Sequence, residues 1–324
     1  MSQVKKPIER LLILGGSGYL GRAIYREFQS FYEVFGTYNT PDEFWLDHGA
    51  FFAYNSTKNG LDTILNIIRP SHVIISMWSP HKAGLDAIKG LVQWALNNNC
   101  HLTLLSHVMV FDAVDRHPSF PNHRRSSISE TGKYFIQLEK LLEALPEHQY
   151  LIARLAMVIG LNSAVVRDIK TKLKKNEPIE AFPNLIVSAI TRDMMVKQLH
   201  YLLNRRAYGV YHLASKDLIH HSDLVTELCT LLSDQPPLLK HVFDRNEETY
   251  LALMSPEDQW PEHLCLNMDQ VLQSGIMSHV ASKKKILSVE PSDIYNMTCF
   301  DGLVNSGGQL LSGHFLTSPL EYFI

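Results

Sequence analysis

The sequence predicts an α/β protein in which a doubly wound parallel sheet is followed by a smaller C-terminal α/β lobe. Three observations carry that expectation. Short apolar runs alternate with helical patterns through the first half of the chain. The segments between them are short, as in strand–helix–strand units. A glycine-rich stretch separates the first apolar run from the first helical pattern, the position where such folds turn from strand to helix.

The elements follow in order. Leu11–Leu14 is uninterrupted and apolar, as in a strand covered on both faces. Arg22–Phe31 has helical character, and Glu33–Tyr38 reads as the second strand. Leu61, Ile64, Leu65 and Ile68 have the i, i+3, i+4, i+7 spacing of one helix face, and Pro70 ends that helix. His72–Met77 is a further buried strand. Leu85–Leu96 is a helix with Ile88, Leu91, Val92 and Ala95 on one side. Leu102–Ser106 is a strand, Phe135–Leu145 a helix and Leu151–Val158 a strand. The pattern then loosens. Helices are expected over Val165–Lys175, Asp193–Leu203, Ser222–Leu232 (N-capped by Ser222) and Leu266–Ser274, with a strand at Gly209–Leu213. These assignments divide the 324 residues into a sheet domain over 1–157, a second lobe over 158–285 with some segments returning to the sheet, and an unassigned tail over 286–324.

Composition narrows the function classes. The chain is 45% hydrophobic and 19% charged, which excludes a disordered chain and a highly charged coiled coil. Thirty basic against 33 acidic side chains give a formal charge of −3, so nothing advertises a nucleic-acid partner. The one dense basic run, Lys283–Lys285, reads as a solvated face. No stretch approaches the roughly 18 apolar residues of a membrane span, and Leu11–Leu14 is too short for a signal-peptide core. The four cysteines Cys100, Cys229, Cys265 and Cys299 form no Cys-x-x-Cys pair and read as free thiols. A cytoplasmic location is the expectation. His220, His221 and Asp223, or His263 with Cys265, fall short of a ligand set, so no metal is expected.

The strongest motif is Gly15-Gly16-Ser17-Gly18-Tyr19-Leu20-Gly21. It satisfies both Gly-x-Gly-x-x-Gly and Gly-x-x-Gly-x-x-Gly directly between a strand and a helix. One glycine allows a tight turn, one lets backbone N–H groups approach a pyrophosphate, and one lets helix and strand pack closely. The helix N-terminus then presents its positive end to the phosphates. These seven residues, with Tyr38 at the end of the second strand, are the expected dinucleotide contacts. That strand ends Gly36-Thr37-Tyr38-Asn39 without the acid that would hold ribose hydroxyls of NAD(H) and repel a 2′-phosphate. Either NAD(H) or NADP(H) is admitted, with the balance tilted toward NADP(H).

Ser106 ends a strand at the edge that faces the crevice of such a sheet, and Tyr134 follows near the start of a helix. A hydroxyl polarising a carbonyl and a tyrosine giving a proton would make a hydride-transfer site. Ser127 and Glu130 have capping-box spacing before that helix. His107, beside Ser106, is either a proton relay or a packed residue. Met77 and Trp78 either line the same crevice or fill core.

These stretches together resemble the extended short-chain dehydrogenase/reductases, and within them the dTDP-4-dehydrorhamnose reductase (sugar-nucleotide-binding) branch. The residues that carry the likeness are 12–21, 36–38, 69–76, 104–113, 132–134, 152–160 and 209–215. The resemblance implies a Rossmann-type NAD(P)-binding domain and a C-terminal lobe for a nucleotide-linked sugar. It implies an NAD(P)H-dependent reductase of a nucleotide-linked 4-keto-6-deoxy sugar with Ser106 and Tyr134 as catalytic residues. A homodimer is the assembly to test.

The family pattern then departs. The lysine of Tyr-x-x-x-Lys falls on Leu138, and Lys140, six residues after Tyr134, lies about 120° away from it round the helix. The helical asparagine that backs the family site falls on Gly84. Tyr54 and Lys58 have the right spacing but precede the relevant strand. A second expectation therefore stands beside the first: a catalytically weakened NAD(P)- or sugar-nucleotide-binding regulatory protein of the same fold. An epimerase is a third.

Overall fold

The apolar run after Arg10 is the axis of the molecule. In the computed structural model, which describes residues 9–40, 48–58, 60–243 and 245–276, it forms β1 (Arg10–Leu14) in the middle of a seven-stranded parallel sheet. On one side lie β2 (Glu33–Tyr38) and β3 (Phe51–Ala53). On the other lie β4 (His72–Ile75), β5 (His101–His107), β6 (Tyr150–Leu155) and β11 (Gly209–Leu213). The chain moves outward from β1 to β3, then crosses back to β4. The order therefore reverses between β1 and β4, and the crevice beyond their carboxyl ends is the place where such sheets bind ligands.

Period-two alternation explains why the sheet is covered on both faces. Leu12 and Leu14 pack into one apolar cluster, Leu11 and Ile13 into the other. The first face is covered by α2 (Leu61–Ile68), α3 (Lys82–Asn98) and α4 (Glu130–Leu142). The second is covered by α1 (Tyr19–Phe28) and α6 (Arg192–Asn204). Arg69 and Asn99 close α2 and α3 in the left-handed region, a common helix stop that asparagine tolerates well.

After β6 the chain makes β7 (Met157–Ile159), α5 (Ala164–Lys175), β8 (Ile179–Ala181), β9 (Leu185–Val187) and β10 (Ala189–Thr191). Beyond β11 come β12 (Ile219–His220), α7 (His221–Leu232), β13 (Leu239–His241) and β14 (Thr249–Leu251). These short strands pair as β7 with β10, β8 with β13, and β9 with both β12 and β14. Residues 268–276 are helical.

Several local expectations are corrected. The strand expected over Leu151–Val158 is two strands, β6 and β7, broken at Ala156. Its N–H turns to Leu213 O of β11, while the next N–H, of Met157, pairs with Ser188. The cap of α7 is His220, not Ser222. The cap of α4 is Ser129, whose Oγ accepts from the Gly132 N–H at 3.0 Å, so Ser127 is not the first member of a capping box. The 286–324 tail, Lys283–Lys285 and Cys299 lie outside the described residues. Cys100, Cys229 and Cys265 are free thiols. No helix among the described residues is long and apolar enough to cross a membrane.

Candidate functional site

The glycine segment is held from below by β2. The Gly15 N–H donates to Thr37 Oγ1 at 2.9 Å and the Ser17 N–H to Thr37 O at 3.2 Å. Gly15 has φ +87°, a conformation side chains rarely adopt. A Cβ on Gly21 would lie 2.1 Å from Gly15 O, so only glycine lets α1 start this close to the turn. Gly16 is packed against Gly36. The segment thus divides: Gly15, Gly16 and Gly21 shape the turn, while Gly18, Tyr19 and Leu20 reach an open cavity. Tyr38 is buried, and its backbone O accepts from the Tyr54 N–H at 2.8 Å.

That cavity, of about 480 Å³, lies at the carboxyl ends of β4, β5 and β6. Its wall opposite Gly18 is aromatic and comes from three elements: Trp78 after β4, His107 ending β5, and Phe135 on α4. The His107 ring stacks on Phe135 at 5.6 Å and 17°, and Trp78 lies 5.5 Å from Phe135. The Met109 N–H donates to His107 Nδ1, which sets the tautomer carrying its proton on Nε2. Thr131 adds a hydroxyl, and Asn162, Ser163 and Arg167 line the far side from the start of α5. Ser163 caps α5 without a side-chain cap bond. Its Oγ is buried with no hydrogen-bond partner.

Ser106 and Tyr134, expected to carry the chemistry, are not brought to this cavity. Ser106 is 1% exposed, and its hydroxyl donates to the buried carboxylate of Glu139. Arg154 holds that carboxylate through two bonds, at 3.0 and 2.8 Å, and Arg125 through a third at 2.7 Å. Behind Arg154, its Nη1 lies 3.3 Å from His212 Nε2, whose Nδ1 faces Met254 O at 2.9 Å. Burial, with Arg154 beside it, pushes His212 down to about 3. The hydroxyl of Ser106 is thus one donor in a closed ion network.

Tyr134 stands behind the aromatic wall, edge-on to Trp78 at 5.6 Å. Burial pushes its phenol up to about 12, and the Ser79 backbone only partly offsets this. Helix geometry explains the arrangement. Thr131 and Phe135 are i, i+4 and share the cavity face of α4, whereas Tyr134 and Leu138 are i, i+4 on the buried face. Leu138 is 1% exposed in the core. At Gly84 a Cβ would lie 2.2 Å from Ser79 O, so no asparagine fits that backbone. His220 and His221 are used locally: Nδ1 of His220 lies 2.9 Å from Pro183 O, and the Phe182 N–H donates to His221. Among the described residues no cluster of three or more His, Cys, Asp or Glu is placed to hold a metal.

The chain therefore has the fold of the extended short-chain dehydrogenase/reductases. Within that fold it is similar to solved dTDP-4-dehydrorhamnose reductases. A hypothetical one from Sulfolobus tokodaii is 19% identical, with 75% of this chain and 91% of that one covered at a TM-score of 0.63. One from Bacillus anthracis in complex with NADP is 16% identical, with coverage of 87% and 100% and a TM-score of 0.63. The Bordetella bronchiseptica enzyme WbmH, in complex with NAD+, is 15% identical, with coverage of 86% and 99% and a TM-score of 0.70. No protein-family model matches the sequence, and no curated protein is similar to it in sequence.

Proposed function

We propose that this chain is a nucleotide-binding protein that takes a nicotinamide dinucleotide on its glycine segment and a nucleotide-linked sugar at the start of α5, without the hydride chemistry of a Ser–Tyr–Lys site. The carrying observation is the cavity face of α4, which presents Thr131 and Phe135 where such chemistry requires a phenol beside an ammonium. The residues fit the pyrophosphate half of the cofactor. Gly15 and Gly21 keep the turn narrow, and Gly18 leaves the first-turn N–H groups of α1 open to an anion. A bound NAD(P)H would supply a hydride at its nicotinamide ring. Phe135 offers no cation to hold ribose hydroxyls or to lower a phenol pKa.

The chain's own groups orient rather than react. Asn162, Ser163 and Arg167 suit a diphosphate, and the neighbour WbmG of Bordetella bronchiseptica, which was solved with NAD and UDP, is consistent with that ligand class. The absence of an acid at Tyr38–Asn39 favours NADP(H) over NAD(H). A second reading, a keto-sugar reductase, is supported by the polar pair His107 and Thr131 in the wall.

One assay separates the two. NADPH and NADH are titrated by tryptophan fluorescence. NADPH oxidation is then followed with a dTDP-4-keto-6-deoxy sugar. Binding without oxidation is expected. Turnover that Tyr134→Phe abolishes would restore the reductase reading with Ser106 and Tyr134 in the catalytic roles.

A further inference from the structure

A second cavity, of about 420 Å³, lies against a different face of α4 from the first. Lys140 and Glu143 reach it from the end of α4, Arg154 from β6, and His123, Arg124 and Arg125 from the loop before α4. None of these residues lines the cavity at the glycine segment.

The charges around this cavity do not balance. Arg125 pairs with Glu139 at 2.7 Å and with Glu143 at 2.8 Å, and Arg154 pairs with Glu139 at 2.8 Å. Two guanidiniums thus answer two carboxylates. Arg124 and Lys140 are left over, since neither side chain has a partner among the described residues. Glu143 is the one carboxylate among the described lining residues, and Arg125 already occupies it. The excess is two positive charges at one place, in a chain of net charge −3. A cavity walled by protein focuses such an excess on whatever enters it.

The loop that carries Arg124 is fixed in place by its neighbours. Arg154, 2% exposed, donates through Nη1 to Pro121 O at 3.1 Å. The Ser126 N–H donates to Val110 O at 3.0 Å, and the Arg125 ion pairs lie between these two anchors. The Phe120 N–H donates to His123 Nδ1, which sets the tautomer carrying its proton on Nε2. His123 thus adds a neutral donor beside Arg124. Donors held this way lose little freedom when an anion arrives. On the far side of the loop His123 and Arg124 also line an open cavity of about 820 Å³, together with His117 and Phe120 and with no carboxylate among its described lining residues. A group attached to the anion has room there.

We propose that Arg124 and Lys140, with the Nε2–H of His123, hold a phosphate group in this second cavity, at a site separate from the glycine segment. The excess of two charges selects phosphate over a carboxylate. A phosphate monoester carries close to two negative charges and three acceptor oxygens on one centre, and a guanidinium fork matches its geometry. Inorganic phosphate and a small phosphorylated metabolite share that chemistry. The site stands whether or not nucleotides bind the first cavity.

The test is calorimetric titration of the full chain with inorganic phosphate and with glucose 6-phosphate, with glucose as the uncharged control. Saturable binding of phosphate that weakens as salt is raised is expected, with none of glucose. Arg124→Ala and Lys140→Ala each weaken it about tenfold. Both side chains are exposed and unpaired among the described residues, so the urea denaturation midpoint of each variant should stay at wild type. Tighter binding of the ester than of inorganic phosphate supports the site and assigns it to a phosphorylated metabolite. The reverse order supports it and assigns it to free phosphate. No saturable binding of either, or an affinity that both variants leave unchanged, overturns the site.

Discussion

Ser106 and His107 are neighbours at the end of β5 and meet the same helix, α4, at different residues. The Ser106 hydroxyl donates to buried Glu139, while His107 stacks on Phe135 and lines the cavity. Along α4, Thr131 and Phe135 line the cavity and Tyr134 and Leu138 do not, while Phe135 is also packed into the core.

Placing a lysine at position 138 therefore breaks the protein instead of completing a site. Leu138→Lys buries an ammonium among apolar side chains and is expected to cost several kcal/mol. The double variant Thr131→Tyr/Phe135→Lys sets a phenol and an ammonium four residues apart on the cavity face. It also costs stability, because Thr131 and Phe135 are buried and Phe135 belongs to the apolar core, but the molecules that fold are expected to give NADPH oxidation with a dTDP-4-keto sugar. Urea denaturation and the absorbance assay check both. Oxidation by the Leu138→Lys variant would contradict this division of the helix.

The ion network should matter for stability and not for ligand affinity. Glu139→Gln leaves Arg154, 2% exposed, without its carboxylate. Breaking such a buried pair from one side costs about 3–5 kcal/mol. Ser106→Ala removes one donor and is expected to cost about 1–3 kcal/mol. Chemical denaturation gives the loss, and an NADPH titration of Ser106→Ala should match wild type. A Ser106→Ala variant that folds normally but loses ligand would place the hydroxyl in the site after all.

Stability should fall in mild acid. Burial lowers His72 and His101 to about 4, His221 to about 4 and His212 to about 3. Each is neutral when folded and titrates near 6.5 when unfolded. The unfolded chain thus binds more protons between about pH 6.5 and 4, so stability rises with pH through that window and is lost as pH falls through it. Denaturation midpoints at several pH values measure the slope. His221→Phe should reduce it, and a flat profile would contradict the buried neutral histidines.

The turn at Gly15 should tolerate no side chain. Gly15→Ala forces φ +87° on an alanine and brings its Cβ within 3.0 Å of the Met77 backbone. Loss of NADPH binding with the circular dichroism spectrum preserved is the expected outcome. An unchanged NADPH affinity would show that the ligand does not use this turn.

Much of this was legible before any coordinates. The continuous apolar runs marked strands covered on both faces, and β2, α2 and β11 begin and end where periodicity placed them. The glycine spacing located the turn. The cavity wall was harder to read. Which of Ser106 or His107 reaches the cavity depends on where α4 lies over the end of β5, and which of Thr131 or Tyr134 does depends on the rotation of α4. The second could have been sought as i, i+4 sets. Ser163 and Arg167 carried no motif, because their role comes from where β7 delivers the start of α5.

The sequence by itself determined the sheet, its two covered faces and the glycine turn, because these follow from local periodicity and from the steric needs of residues adjacent in the chain. Only the tertiary structure decided which hydroxyls reach the cavity and which are spent on Glu139 or behind Trp78. The physical reason is that the site is assembled from the ends of β4, β5 and β6 and the starts of α1, α4 and α5. A side chain's access to it depends on the packing angle of each element against the sheet, which no single segment encodes.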